Sequence, residues 1–198
     1  MRGRRGPPVG PVTPVPEPRA PGSTTHNLWT VTSMTTTERS TIPRQVYFHD
    51  PAGPTATAVV PSVFVVVRGA GDRLLLVRRC DSGAWELPGG RVDVGENAIE
   101  AAVRETAEES GVRVVVTGLV GLFSDPGLVI RSRGGEVRQQ FAVLFRARAV
   151  GGVPHGDLEE TSEAAWVDPA DIPGLPMEPS ARIWIAQALA LADVPHIG

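Results

Sequence analysis

The chain has 198 residues, of which 41% are hydrophobic, 21% charged and 5% aromatic. That is enough for one globular domain with a sizeable core and short for two, and no run of eighteen apolar residues exists that could form a membrane-spanning helix. The net charge of −3 is unevenly spread: residues 1–33 carry Arg2, Arg4, Arg5 and Arg19 against Glu17, a balance of +3, so the rest of the chain stands at −6. Such a body repels nucleic acid in bulk, and it can hold an anionic substrate only through an intervening cation.

In chain order, the first segment reads as a tail. Residues 1–40 are rich in Pro, Arg and Thr, with seven prolines between Pro7 and Pro21 and no apolar period. A segment of this kind buries too little surface to offset its ordering entropy. It has no signal-peptide core, and its prolines forbid an amphipathic transit helix. Met34, followed by Thr-Thr-Thr-Glu, reads as an alternative start. Folded structure is expected over 57–192. Val59–Val67 is β-branched and reads as a strand, Gly69–Asp72 as a turn, and Arg73–Arg79 as a second strand. Residues 81–96 read as loop apart from Trp85–Leu87, and 97–110 as a helix. Val112–Phe123 is a strand, or a bent pair broken at Gly118 and Gly121, followed by a long loop over 124–136. Val137–Ala149 and Glu163–Val167 are strands separated by a polar loop, and Glu178–Ala192 is a closing amphipathic helix. Strands with two long helices in this order predict an α/β fold: a mixed β-sheet covered on both faces.

The chemistry concentrates in 97–110. At 100° per residue, Glu105, Glu108 and Glu109 fall within an arc of about 100°, while Ile99, Val103, Thr106 and Ser110 form the side expected to pack on the sheet. Glu105 repels Glu108 and Glu109 at i,i+3 and i,i+4 spacing, and all three sit toward the negative end of the helix dipole. Two readings account for this: a solvated acidic face, or oxygen ligands awaiting a hard divalent cation such as Mg²⁺. All basic side chains are arginine, so Schiff-base and P-loop lysine chemistry is excluded. The single cysteine, Cys80, excludes an internal disulfide and fits a reducing, cytoplasmic setting.

The residues around the helix decide between the two. Gly90, Glu96, Arg104-Glu105, Glu108-Glu109 and Gly111 stand at the spacing G-x5-E-x7-R-E-U-x-E-E-x-G-U, where U is bulky and apolar. This resembles the Nudix box, with all seven fixed positions matched; Thr106 departs from one apolar position. The lead-in Trp85-Glu-Leu-Pro-Gly-Gly90 and the later Glu160-x-x-Glu163-x-x-Trp166 segment also look like the family. The resemblance implies a mixed sheet sandwiched between helices and Mg²⁺- or Mn²⁺-dependent hydrolysis of a nucleoside diphosphate linked to another moiety. It implies Glu105, Glu108 and Glu109 as metal ligands with the Gly89 carbonyl. It assigns Glu105 a part in activating water, Arg104 the task of holding the carboxylates, and Glu96 a supporting contact between loop and helix. Glu160, six residues before Trp166, resembles the extra carboxylate of the oxidised-nucleotide branch as ligand or base. Dimerisation is common in the family, so a homodimer joins the small nucleotide among expected partners; nucleic acid and membrane do not.

Phe123-Ser-Asp-Pro-Gly127 resembles the proline-bearing segment of ADP-ribose pyrophosphatases and tilts the substrate toward ADP-ribose; a noncanonical or oxidised nucleoside triphosphate is the alternative. A nucleotide sensor without turnover is a second class, although sensors usually lose box glutamates. An isoprenoid diphosphate isomerase is a third, but it wants a catalytic cysteine and histidine ligands. His49, His155 and His196 have no metal-ligand spacing. Trp85, Trp166 and Trp184 read as core or wall, and Arg131, Arg133 and Arg138 in and after the 124–136 loop could hold a phosphate or terminal sugar.

Overall fold

The computed structural model describes residues 43–190 and 194–198, all within one compact unit spanning Glu38–Gly198. The expected tail at 1–40 and the alternative start at Met34 lie outside the described residues. Ten strands and two α-helices follow in the order β1 (Gln45–Phe48), β2 (Ala58–Arg68), β3 (Leu74–Arg79), β4 (Trp85–Glu86), β5 (Gly89–Arg91), α1 (Ala98–Ser110), β6 (Arg113–Phe123), β7 (Leu128–Arg131), β8 (Val137–Gly151), β9 (Thr161–Val167), α2 (Pro179–Leu189) and β10 (His196–Ile197).

The sheet is mixed. β2 runs parallel to β8 from Ala58↔Arg138 to Arg68↔Arg148, and β8 takes β6 and β7 antiparallel on its other edge. The far edge of β2 pairs antiparallel with β5, and β3 pairs antiparallel with β4 and β9. Both faces are covered, which is why β2 and β3 are nearly continuous apolar runs rather than alternating ones. Val63, Val65, Val67 and Leu75 point toward α1, and Phe64, Val66, Leu74 and Leu76 point toward α2, where Trp184 and Ile185 close the second core.

The expected strands and helices form, with differences that have physical reasons. β6 is one strand, and two of its three register shifts against β8, Val116/Gly118 and Leu119/Gly121, fall at the glycines that read as breaks; the third is at Arg113/Val114. Residues 124–136 are not all loop, because β7 folds back antiparallel on β8 and accepts β1 at Gln45↔Arg131 through Phe48↔Leu128. β1 and β10 are only 4 and 2 residues long, too short to show a period, and they exist through their neighbours. β10 runs parallel to β6 at Gly121 and Leu122, and a Cβ on Gly121 would sit 2.8 Å from His196.

Candidate active site

α1 is placed by its ends. Asn97 caps it, accepting the N–H groups of Ile99 (2.9 Å) and Glu100 (3.1 Å), while the Glu100 carboxylate reaches back to the Asn97 N–H at 2.9 Å. This capping box satisfies donors the first turn leaves open. Gly111 ends the helix in the left-handed region at φ 68°, and a Cβ there would also run into the His155 imidazole. Both reasons demand glycine.

The packed face of α1 overlaps the expected one but is turned from it: Val103, Thr106 and Ser110 pack inward as expected, and Ile99 does not. Ala101, Ala102, Thr106, Glu109 and Ser110 are buried, while Ile99 is 52% exposed. Small side chains let the helix lie close against the sheet, and Thr106 fits its apolar position by donating its hydroxyl to the Ala102 carbonyl at 2.7 Å. The three glutamates border one space at different depths. They are graded: Glu108 is exposed, Glu105 mostly covered, and Glu109 buried beneath β5.

Each has a partner. Glu109 Oε2 accepts the Gly89 N–H at 2.8 Å. Arg104 donates to Glu108 Oε2 at 3.0 Å and lies 3.0 Å from Glu105 Oε1. Its other nitrogens grip Glu96 twice, at 3.0 and 2.6 Å, and reach the Arg91 carbonyl at 3.2 Å. Glu96 in turn accepts the Asp93 N–H at 2.8 Å, and the Arg104 hydrogen bonds hold its pKa at about 2. Glu96 thus ties the loop to the helix, and Arg104 sits among four carboxylates: Glu96, Glu105, Glu108 and, at 3.8 Å, Asp93. Gly90 lacks a side chain for a direct reason: a Cβ there would overlap the Glu105 carboxylate.

Gly89 lies between the Val65–Pro88 and Val92–Pro61 hydrogen bonds of the β2–β5 pair. At such a position the N–H and C=O both face away from the partner strand. A Cβ on Gly89 would strike the Val63 carbonyl, so close strand approach again requires glycine.

Glu160 comes from the turn that leads into β9. Asp157 Oδ1 accepts the N–H groups of Glu159, Glu160 and Thr161 at 2.9, 2.9 and 2.8 Å, and the Thr161 hydroxyl donates to the Glu109 carbonyl at 2.7 Å. Burial raises the Asp157 pKa, but those backbone donors outweigh it and leave the carboxyl below its ordinary value. This turn carries Glu160 to the end of α1. An Asp side chain that accepts backbone N–H groups two to four residues on is a common turn device, and Asp157 stands in the stretch that reads as a polar loop.

Glu105, Glu108, Glu109, Asp157, Glu159 and Glu160 line one cavity of about 370 Å³ with no basic side chain in its lining among the described residues. Burial pushes the Glu105 pKa up against the pull of Arg104, and the charges on Glu108 and Glu160 add to the rise. Burial likewise raises Glu109 well above the carboxylate range, with Glu86 adding to it and the Gly89 N–H opposing. Among the described residues no three of these groups converge as a finished metal-ligand set, because Arg104 and the Gly89 N–H each occupy an oxygen. The donor set is nevertheless all oxygen and under like-charge strain, which suits a hard divalent cation.

A second cavity, of about 420 Å³, shares Glu105, Glu108 and Glu160 and opens onto Arg44, Arg91 and Arg138, with Phe64 as its aromatic wall. Trp85 and Trp184 belong instead to the apolar core, and Trp166 packs over Gly69. In the wall of this cavity Arg79 donates bidentately to Asp81 (2.8 and 2.9 Å) and to buried Glu86 at 2.7 Å. Sequence reasoning missed Arg79, Glu86 and Arg44, whose guanidinium pairs with Glu178 at 2.6 Å at the start of α2. No short-range pattern marks a contact across 134 residues. Glu163 points elsewhere, toward Arg78 at 3.9 Å. His49 pairs with Asp125, His155 bonds the Val153 carbonyl, and His196 stacks on Phe123; none of these three lines either glutamate-bearing cavity.

Residues 59–188 match the model of the NUDIX domain. A MutT-like protein of Streptomyces ambofaciens is 34% identical over 135 residues, covering 67% of this chain and 77% of that one. An ADP-ribose pyrophosphatase of Methanocaldococcus jannaschii is 34% identical over 108 residues, 52% of this chain and 59% of that one. Among solved structures, a MutT NUDIX hydrolase from Burkholderia pseudomallei superposes with a TM-score of 0.54 at 27% identity, over 65% of this chain and 97% of its own. A NUDIX hydrolase from Nitrosomonas europaea shares the fold with a TM-score of 0.58 at 22% identity, over 70% and 77% of the two chains. Motif, fold and similarity agree: the chain belongs to the Nudix family of phosphoanhydride hydrolases.

Proposed function

We propose that the protein is a Mg²⁺-dependent (or Mn²⁺-dependent) pyrophosphohydrolase acting on a small nucleotide in which a nucleoside diphosphate is joined to another group. One observation carries this reading: the acidic cavity and the arginine-bearing cavity share Glu105, Glu108 and Glu160. Cation-binding oxygens and anion-binding guanidinia thereby border the same space. Glu105, Glu108, Glu109 and the Gly89 carbonyl would hold the cation. When bound, the cation neutralises the diphosphate and lowers the pKa of an attacking water. Arg104 keeps Glu105 and Glu108 in place. Glu105 or Glu160 takes the proton from the water as it attacks phosphorus and the anhydride P–O bond breaks. The single cysteine supports a cytoplasmic setting.

ADP-ribose, favoured by Phe123–Gly127, loses that support in the fold. Pro126 and Gly127 line a separate cleft of about 250 Å³ with Tyr47 and His49, not the cavity that holds the glutamates. The test is a phosphate-release screen with Mg²⁺ over ADP-ribose, other nucleotide sugars, dinucleotide polyphosphates and oxidised nucleoside triphosphates, with Glu108→Gln as the blank. Turnover that depends on Glu108 supports an enzyme. Tight nucleotide binding by folded protein, with no cleavage, replaces the reading with a sensor.

A further inference from the structure

The arginine end of the cleft extends past the shared glutamates. A cavity of about 260 Å³ has Arg44, Arg79, Arg138 and Glu160 in common with the main one and adds Arg133, Ser132 and Gly134 together with the acidic Asp81 and Glu159. Its arginines differ in how far the protein satisfies them. Arg79 is saturated by Asp81 and Glu86, and Arg44 is held by Glu178 through both terminal nitrogens. Arg138 is neither. Its side chain is 12% exposed, its Nε is buried with no hydrogen-bond partner among the described residues, and its nearest carboxylate, Glu136, stands 3.5 Å away. Glu136 is also claimed by Arg91. Burial, with the Arg91 charge close by, brings the Arg138 pKa down to about 10. Arg133, next along the wall, is 61% exposed and lies 3.8 Å from Asp81, a carboxylate already committed to Arg79.

A buried guanidinium without a full complement of acceptors is unfavourable unless an anion completes it. The planar fork of arginine fits a phosphate best. Glu159 and Glu160 also line this cavity and repel an anion toward the arginines.

We propose that Arg138, with Arg133 beside it, receives a phosphate group of the substrate that lies beyond the phosphoanhydride being cleaved. This rests on the pyrophosphohydrolase reading above and narrows its substrate to nucleotides carrying a further phosphate. That phosphate ends a polyphosphate chain or esterifies the sugar of a nucleotide sugar.

The experiment has two arms. Steady-state kinetics of the full chain with Mg²⁺ compare a nucleoside triphosphate with its diphosphate, and ADP-ribose phosphorylated on its terminal ribose with ADP-ribose. The expected result is a preference in kcat/KM for the phosphorylated member of at least one pair, cut at least tenfold by Arg138→Gln and also reduced by Arg133→Gln. The pair that responds identifies which source of phosphate the subsite takes. Equal preference in wild type and variants overturns the proposal. The second arm titrates inorganic tripolyphosphate into metal-free protein by calorimetry, and Arg138→Gln is expected to weaken binding at least tenfold. Unchanged binding overturns the proposal independently of turnover. If wild type cleaves nothing, the parent reading fails and the calorimetric arm alone decides the subsite. Exposed Arg133→Gln serves both arms if Arg138→Gln does not fold.

Discussion

The Glu109 carboxylate accepts the backbone N–H of Gly89 at 2.8 Å, linking α1 to the strand that enters it. The contact buries a carboxylate whose pKa is raised by burial first and by Glu86 next. A raised folded-state pKa means stability is complete below the ordinary glutamate value and is lost as pH rises through the folded one. Glu109→Gln keeps an acceptor for Gly89 and removes the charge. In metal-free protein it is expected to raise Tm at pH 8, with the gain vanishing below about pH 4. Thermal melts across that range check the sign; a lower Tm at pH 8 contradicts it.

Glu108 is exposed and bonded only to Arg104 among the described residues, so its replacement disturbs little of the fold. Glu108→Gln is expected to lower kcat at least a hundredfold, about 2.7 kcal/mol of barrier, with the circular dichroism spectrum unchanged. Near-full activity would remove Glu108 from the site.

The strained carboxylates predict stabilisation by divalent cations. Mg²⁺ or Mn²⁺ at a hundred times its Kd contributes about 2.7 kcal/mol, a Tm increase of roughly 5–10 °C for a domain of this size. The shift should shrink in Glu105→Gln and Glu108→Gln. Wild-type melts that neither Mg²⁺ nor Mn²⁺ shifts would argue for a solvated acidic face instead.

Glu96 is the opposite case to Glu109. Its folded-state pKa of about 2 is depressed, chiefly by the Arg104 hydrogen bonds. Its contribution to stability is therefore full above the ordinary glutamate value and lost as pH falls from about 4.5 toward 2. Urea unfolding at pH 7 and pH 3 should show a smaller acid-induced loss in Glu96→Gln than in wild type.

Gly111→Ala meets two penalties: a left-handed φ of 68° and the His155 ring. The backbone alone costs about 1–2 kcal/mol. Adding His155→Ala should recover the steric part and leave the backbone part, and a double-mutant cycle in chemical denaturation separates them.

Much of the fold was legible because long elements carry their own period. β2, β3, β8 and α1 lie within a residue or two of where their residue patterns indicated. β1, β7 and β10 were not legible, since a strand of 2 to 4 residues has no period and is held by its ladder partners. The box residues could be named from spacing alone, yet their depths could not. Helical arithmetic rightly put Val103, Thr106 and Ser110 on the packed side but also Ile99, which is exposed, whereas small Ala101 and Ala102 allowed the closer approach that drew Glu109 inward.

The sequence by itself determined the family, the catalytic carboxylates proposed here and the glycines that tight approach demands, because these depend on residue type and short spacing. Only the tertiary structure decided which arginines face those carboxylates. Arg44, Arg79 and Arg138 come from three separate strands or their flanks, and strand pairing alone brings them to one cleft. Burial then left Arg138 without a full set of acceptors. No local pattern encodes that, since solvent exclusion is a property of the packed whole.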